Sequence, residues 1–328
     1  MNYLVYLLIG ESPVFRRELE YALLSLDKTA GPWTRENVTV VIYHDNELSL
    51  PGALQNLKII FKQLTRAKVR EILEEGNGFF LFMKPWIIRE CLREFSGNVL
   101  FVDTDTFFMQ DPGPLFRAIN AGKLIMHLKE HKFSVRPFLK RYLKEFSLQD
   151  RQGIDYSIKP GKFYMWNSGV IGLNPRSLPL LEEVIHMTKQ ISATRRWHTT
   201  EQLAFSYFFA GKEPVLEADK YIFHYWFYKP AVYLLSLYFN DSPDSVKKIR
   251  PELGRYAFPA SFEYEEIPRL IFELGKHYAM VSDFLFSCLP FRTVGGKLLR
   301  RSLCTDVHSF LHLLYLETKR FLKLDYLL

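Results

Sequence analysis

Apolar residues in this chain come as short continuous runs, separated by stretches that repeat every three or four residues. Tyr3 to Ile9 is one such run and stops at Gly10. Ser12-Pro13 then supplies an N-cap and a first-turn proline, and Phe15, Leu19, Ala22, Leu23 and Leu26 follow at helical spacing. Val38 to Tyr43 predicts a second strand, ending at His44-Asp45-Asn46, and Leu57 to Phe61 a third. Lys84-Pro85-Trp86 opens a helix that Ser96-Gly97 closes, and Val99 to Val102 is the next strand. Strands alternating with helices predict an α/β fold, a doubly wound and mostly parallel sheet.

Farther along, the pattern predicts a short helix over Leu115 to Ala121, a strand over Leu124 to Leu128, a solvated basic helix over Phe133 to Phe146 and a loop over Gln152 to Lys162. Phe163 to Asn174 is apolar but broken in mid-course by Asn167-Ser168-Gly169 and by Gly172. A glycine inside a strand marks close approach of another group. Helices over Leu178 to Ile191 and from Thr199 to Phe209 follow, then strands at Val215-Leu216 and Tyr221 to Phe227, the second holding His224. From Pro230 the texture changes: Pro230, Pro243, Pro251 and Pro259 punctuate a loop-rich stretch, and the chain from Pro268 reads helical. The expected division is 1–240 for the sheet domain and 241–328 for a helical C-terminal extension.

Composition narrows this picture. With 328 residues, 48% of them hydrophobic, the chain can bury a large core. Cys91, Cys288 and Cys304 are widely spaced with no CxxC, which argues against a zinc site or a disulfide frame and for a reducing compartment. The apolar N-terminus lacks a basic leader and a cleavage site and reads as a first strand, and no run has the length of a membrane span. The expected location is therefore cytoplasmic. The net charge of +7 suits phosphorylated ligands or an anionic surface. Within the sheet half the basic residues form no single run, which disfavours nucleic acid. From Phe291 onward seven basic and three acidic residues alternate with leucines at helical steps, so this segment is expected to make peripheral contact with an anionic membrane.

The chemistry concentrates at the end of the fourth strand. Asp103-Thr104-Asp105 follows a buried apolar run directly. If the extended geometry continues, both carboxylates point the same way. Two carboxylates at the carboxyl end of a buried strand need neutralising, and a divalent cation is the usual means. Open α/β sheets bind ligands at that edge.

Val-Leu-Phe-Val-Asp103-Thr-Asp105, then Trp166-Asn167-Ser168-Gly169-Val, then Glu201-Gln202, then His224 with Lys229 resemble, in order and spacing, the GT-A glycosyltransferases, closest to the retaining, DxD-containing family-8 type. The resemblance covers roughly residues 1 to 230. It implies a metal-dependent transferase moving a sugar from a nucleotide-sugar, UDP-linked in that family, to a glycan or glycolipid acceptor. It further implies Mn2+ or Mg2+ held by Asp103, Asp105 and His224, with Asp105 the more direct ligand. Donor contacts would come from Gly10, Asp45, Lys84, Asp103, Thr104, Asn167, Ser168 and Lys229. Gln202 or Glu201 would stand at the anomeric carbon, the first as a stabilising carboxamide, the second as a carboxylate nucleophile. The family's His-x-x-Gly-x-x-Lys-Pro runs here as His224-Tyr-Trp-Phe-Tyr-Lys229-Pro230, without the glycine and with the lysine one residue early.

Two other readings compete. Asp103-Thr104-Asp105-Thr106 fits the DxDx[TV] signature of haloacid-dehalogenase-type phosphatases, with Asp103 as nucleophile. That motif ordinarily ends a first strand, whereas three strands precede it here, and no later Gly-Asp pair completes a magnesium site. A non-catalytic scaffold keeping a relict transferase site is the other, opposed by the intact pair of aspartates.

Overall fold

The computed structural model describes residues 1–48, 50, 54, 56–132, 148–156, 164–210 and 215–226. Residues Met1–His224 belong to one compact unit. The expected domain boundary near Asp241, the helix over Phe133 to Phe146, Lys229 and the basic C-terminal segment all lie outside the described residues.

In chain order the elements are β1 (Asn2–Leu8), α1 (Pro13–Thr29), α2 (Pro32–Asn37), β2 (Val38–His44), β3 (Ile59–Gln63), α3 (Arg66–Glu75), α4 (Met83–Phe95), β4 (Asn98–Val102), β5 (Thr106–Phe108), α5 (Gly113–Asn120), β6 (Ile125–Met126), β7 (Lys129–Lys132), β8 (Tyr164–Trp166), β9 (Val170–Leu173), α6 (Leu178–Thr194), α7 (Thr200–Ala210), β10 (Leu216–Glu217) and β11 (Ile222–His224). Among the described residues a seven-stranded sheet runs β10-β6-β9-β4-β1-β2-β3, and two ribbons pair β11 with β5 and β7 with β8.

The central strands of the sheet are buried on both faces, as their continuous apolar runs require. Along β1, Tyr3 and Val5 join one core with α4, α6 and α7, while Leu4, Tyr6 and Leu8 join a second core with α1 and α5. Strand β4 divides the same way, with Val99 and Phe101 in the first core and Leu100 and Val102 in the second. Both cores are packed with aliphatic and aromatic side chains, so β4 is held rigidly up to the point where Asp103 leaves it. Helix α4 ends as its sequence predicts. Ser96 adopts a left-handed conformation (φ 51°) and its N–H returns to the Leu92 carbonyl at 3.0 Å.

Three elements differ from the sequence pattern. Helix α2 carries too few apolar positions to register as periodic, whereas α3 carries Val69, Ile72 and Leu73 at helical steps within an otherwise charged stretch. Of α3 only Ile72 is buried, and its start is set by the Thr65 side chain accepting from the Lys68 N–H. The sheet is mostly parallel, but β9 runs antiparallel between β4 and β6. A buried strand carries the same apolar run in either direction, so the pattern cannot show this reversal.

The reversal positions the site. Because β9 begins where β4 ends, Val170 pairs with Val102 and the Asp103 N–H donates to the Gly169 carbonyl at 2.8 Å. The Asn167-Ser168-Gly169 turn therefore lies against the aspartates. The β11–β5 ribbon adds the last component, with His224 opposite Thr106.

Candidate functional site

The strand ends at Val102, and Asp103 to Asp105 form a bend. The two carboxylates thus converge through a turn, not through the two-residue repeat of a continuing strand. Ligand-capable atoms of Asp103, Asp105 and His224 all lie within 4.8 Å of one another. His224 Nε2 is 3.0 Å from Asp105 Oδ1 and 3.9 Å from Asp103 Oδ2. Thr104 stands half-buried between the two aspartates, and the Thr106 hydroxyl donates to the Asp103 carbonyl at 2.8 Å, closing the bend.

Lys84 comes from the first turn of α4 and is 5% exposed. Its ammonium donates to Asp103 Oδ2 at 2.8 Å and to the Ser168 carbonyl at 3.0 Å, and lies 3.9 Å from Glu201 Oε1. Burial alone would lower its pKa. Asp103, Glu201, the hydrogen bond to Asp103 and Asp105 outweigh burial and hold it above the ordinary lysine range. Lys84 is thus a fixed positive charge under the carboxylates.

Glu201 and Gln202 are adjacent in α7 but point to different environments. Glu201 is 2% exposed; its Oε1 accepts from the Ser168 hydroxyl at 3.2 Å, and its Oε2 is buried without a hydrogen-bond partner. Burial, against the pull of Lys84, pushes its carboxyl up to about 7. Gln202 is half-buried, and its Nε2 donates to Glu130 Oε2 at 2.9 Å.

Asn167 is 4% exposed. Its Oδ1 accepts from the Gly169 N–H at 2.9 Å and lies 2.8 Å from His224 Nδ1; its Nδ2 donates to Glu130 Oε1 at 3.1 Å. Gly169 is where close approach matters: a Cβ there would overlap the His224 imidazole, so the ring rests on bare backbone. At Gly172 a Cβ would press on Ile119 and Ile125 instead.

The backbone N–H of Gly169 can only donate, so the Asn167 atom facing it is the oxygen. The same oxygen faces His224 Nδ1, which must then carry the ring proton. His224 Nε2 therefore presents a lone pair toward carboxylate oxygens. Lone pairs opposed at 3.0 Å call for a positive centre between them, a proton or a metal ion. Two carboxylate oxygens and one imidazole nitrogen are a donor set that can hold a divalent metal ion.

Eight of the residues singled out from the sequence form one connected cluster: Lys84, Asp103, Asp105, Asn167, Ser168, Glu201, Gln202 and His224. Gly10 and Asp45 form a separate pair at the carboxyl ends of β1 and β2, the Gly10 N–H donating to Asp45 Oδ1 at 2.9 Å, with Gly10 at φ 92°. Two members of the site carry no sequence signal. Glu130 lies in a four-residue charged strand, Lys129-Glu-His-Lys132, that resembles a solvated surface. His127 packs edge-on against the His224 ring at 5.4 Å and donates from Nε2 to the Ile222 carbonyl at 3.0 Å. Burial, reinforced by His224, pushes its pKa down to about 3, so it is neutral at physiological pH.

No protein-family model matches the chain, and no curated protein matches it. Solved structures do. Mouse xyloside xylosyltransferase 1 in its apo form is similar with a TM-score of 0.43 and 16% identity, over 66% of this chain and 86% of that one. The galactosyltransferase LgtC, in complex with donor and acceptor sugar analogues, is similar with a TM-score of 0.40 and 12% identity, over 63% of this chain and 70% of its own. The bifunctional glycosyltransferase WbbM, also apo, is similar with a TM-score of 0.40 and 13% identity, over 65% of this chain and 39% of its own. Among the described residues no helix is long and apolar enough to cross a membrane.

Proposed function

We propose that this chain is a metal-dependent glycosyltransferase of the GT-A type, moving a hexosyl group from a nucleotide-sugar, UDP-linked, to a glycan or glycolipid acceptor. The observation that carries this reading is the meeting of Asp103, Asp105 and His224 at the carboxyl edge of β4, with two carboxamides, Asn167 and Gln202, held beside them. A dication held by these three side chains, Mn2+ or Mg2+, would neutralise the diphosphate of the departing nucleotide.

The chain's own residues divide the remaining work. Lys84 fixes Asp103 from below and keeps the Ser168 carbonyl turned inward. Asn167 and Ser168 offer hydrogen bonds to donor hydroxyls, and Thr104 is placed between the ligands. Gly10 and Asp45, on the neighbouring strands of the same edge, would meet the nucleoside. Gln202 is the better candidate for the anomeric carbon: its amide is partly open to solvent, whereas Glu201 is enclosed and lies 3.9 Å from the Lys84 ammonium. A carboxamide there favours return of the acceptor on the same face with retention of configuration.

The haloacid-dehalogenase-type alternative needs a further carboxylate to complete its magnesium site. In the cluster the third ligand-capable group is an imidazole.

The test is a panel of nucleotide-sugars titrated calorimetrically with and without Mn2+. The expected result is one UDP-sugar that binds only with metal, with binding lost in Asp105→Asn. Equal binding with and without metal, or binding that survives Asp105→Asn, would overturn the reading.

A further inference from the structure

Glu130 has no place in the motif that suggested the site, yet it touches two of its parts. Its two oxygens are used separately: Oε1 accepts from Asn167 Nδ2 at 3.1 Å and Oε2 from Gln202 Nε2 at 2.9 Å. The groups it joins come from different elements, one from the turn before β9 and one from the first turn of α7. Neighbouring contacts set this geometry. Strand β7 pairs with β8 through Lys129 and Trp166, and the Asn167 N–H continues the ribbon to the Leu128 carbonyl at 2.9 Å. Helix α7 is tied to the same ribbon by the Trp166 N–H, which donates to the Ser206 hydroxyl at 2.9 Å.

From these contacts we propose that Glu130 is a positioning residue that sets the metal ligand and the sugar-facing amide together. It acts on the ligand through Asn167. By holding Nδ2, Glu130 keeps Oδ1 aimed at the Gly169 N–H and at His224 Nδ1. The ring proton then stays on Nδ1, and Nε2 remains a bare ligand atom facing Asp103 and Asp105. It acts on the amide directly, by holding Gln202 Nε2 and so turning Gln202 Oε1 away from itself. One carboxylate can do both because each amide presents an N–H2 donor to it. A glutamine cannot, since one of its two heads would set N–H2 against N–H2.

This is a fixed tautomer maintained from two bonds away, the arrangement by which outer groups tune metal-binding histidines. Without it the Asn167 carboxamide is held only by the Gly169 N–H, and the ring hydrogen-bonded to it loses its second restraint. The role of Gln202 in this inference rests on the proposed glycosyl transfer; the effect on His224 does not.

The experiment compares wild type with Glu130→Gln and Glu130→Ala, with thermal melting to show that each is folded. Two readouts are taken in the absence of sugar nucleotide. Nitrogen–proton NMR of the metal-free protein reports whether the His224 Nδ1–H is held in a hydrogen bond. Paramagnetic resonance titration with Mn2+ alone reports affinity. The expected result is a protected, hydrogen-bonded Nδ1–H in wild type, a loosened one in both variants, and Mn2+ affinity weakened about 10- to 100-fold. A variant that keeps the wild-type Nδ1–H signal and Mn2+ affinity overturns the proposal. The two failures separate. If wild type binds no Mn2+, the proposed function falls, while the Nδ1–H comparison still decides the role of Glu130. If Glu130→Ala does not fold, Glu130→Gln, which keeps the shape of the side chain, carries the test.

Discussion

Gly169 lies directly against the imidazole of His224, close enough that a single added methyl would overlap the ring. The end of the Asn167-Ser168-Gly169 turn is thus a seat for a residue that lies 55 positions later and arrives on a separate ribbon.

Gly169→Ala should displace the His224 ring or the turn. The expected outcome is a destabilisation of about 1–3 kcal/mol, as for other overpacked sites, together with at least about tenfold weaker Mn2+ binding. Gly172→Ala is the control: it crowds Ile119 and Ile125 on the other core and should cost similar stability with Mn2+ affinity unchanged. Thermal melts and Mn2+ titrations on both variants check this. Equal Mn2+ affinity in wild type and Gly169→Ala would show that the ring does not depend on the seat.

The two aspartates should respond differently to loss of charge. Asp105→Asn relieves repulsion with Asp103 and should leave the metal-free protein as stable as wild type or more so. Asp103→Asn removes the carboxylate that pairs Lys84, a buried ammonium. Breaking such a pair is costly, and with Asp103 itself partly exposed the expected loss is about 1–3 kcal/mol. Both variants should lose Mn2+ binding. Denaturant unfolding in chelator separates them, and equal stabilities would mean that Lys84 does not depend on Asp103.

Glu201 makes stability pH-dependent in a definite direction. Its carboxyl is raised from 4.5 to about 7 by burial. Between these values the unfolded chain releases the proton while the folded chain keeps it, so this group's contribution is full below 4.5, falls as pH rises through the window and levels off above about 7. Glu201→Gln removes the effect. Relative to wild type, the variant should gain about 2 to 2.5 kcal/mol on going from about pH 5 to about pH 8. Denaturant curves at both pH values measure the difference, and a pH-independent difference would rule out the buried, protonated carboxyl.

The same pair separates the two mechanisms at the anomeric carbon. With Gln202 as the stabilising group, Gln202→Ala should lower kcat by about 10²-fold with little change in donor Kd, as for loss of a group acting in the transition state. Glu201→Gln should retain most of kcat at low pH, where the native carboxyl is already neutral. The reverse order in single-turnover assays would assign the nucleophile to Glu201.

Much of the framework was legible in the chain because the determinants are local. Val99 to Val102 had to be buried on both faces, since every residue in the run is apolar. Ser96-Gly97 had to end a helix, since a left-handed residue cannot continue it. The glycines at 169 and 172 announced close contacts, and both make them. Helix α2 was not legible, because a six-residue helix that buries only Thr34 leaves no periodic trace, while α3 leaves only three apolar positions, Val69, Ile72 and Leu73, in a charged stretch.

The sequence by itself determined the alternation of strands and helices, and it marked Asp103, Asp105, Asn167 and His224 as residues with chemistry to do. Only the tertiary structure decided how they meet. The reversal of β9 brings Asn167 to the aspartates, the pairing of β5 with β11 brings His224, and the β7–β8 ribbon brings Glu130 from a stretch that reads as surface. It also decided that neighbours in sequence, Glu201 and Gln202, face different surroundings. The physical reason is that burial and periodicity are properties of one segment, whereas the direction of a side chain at the end of a strand depends on the turn it enters and on the segments packed against it.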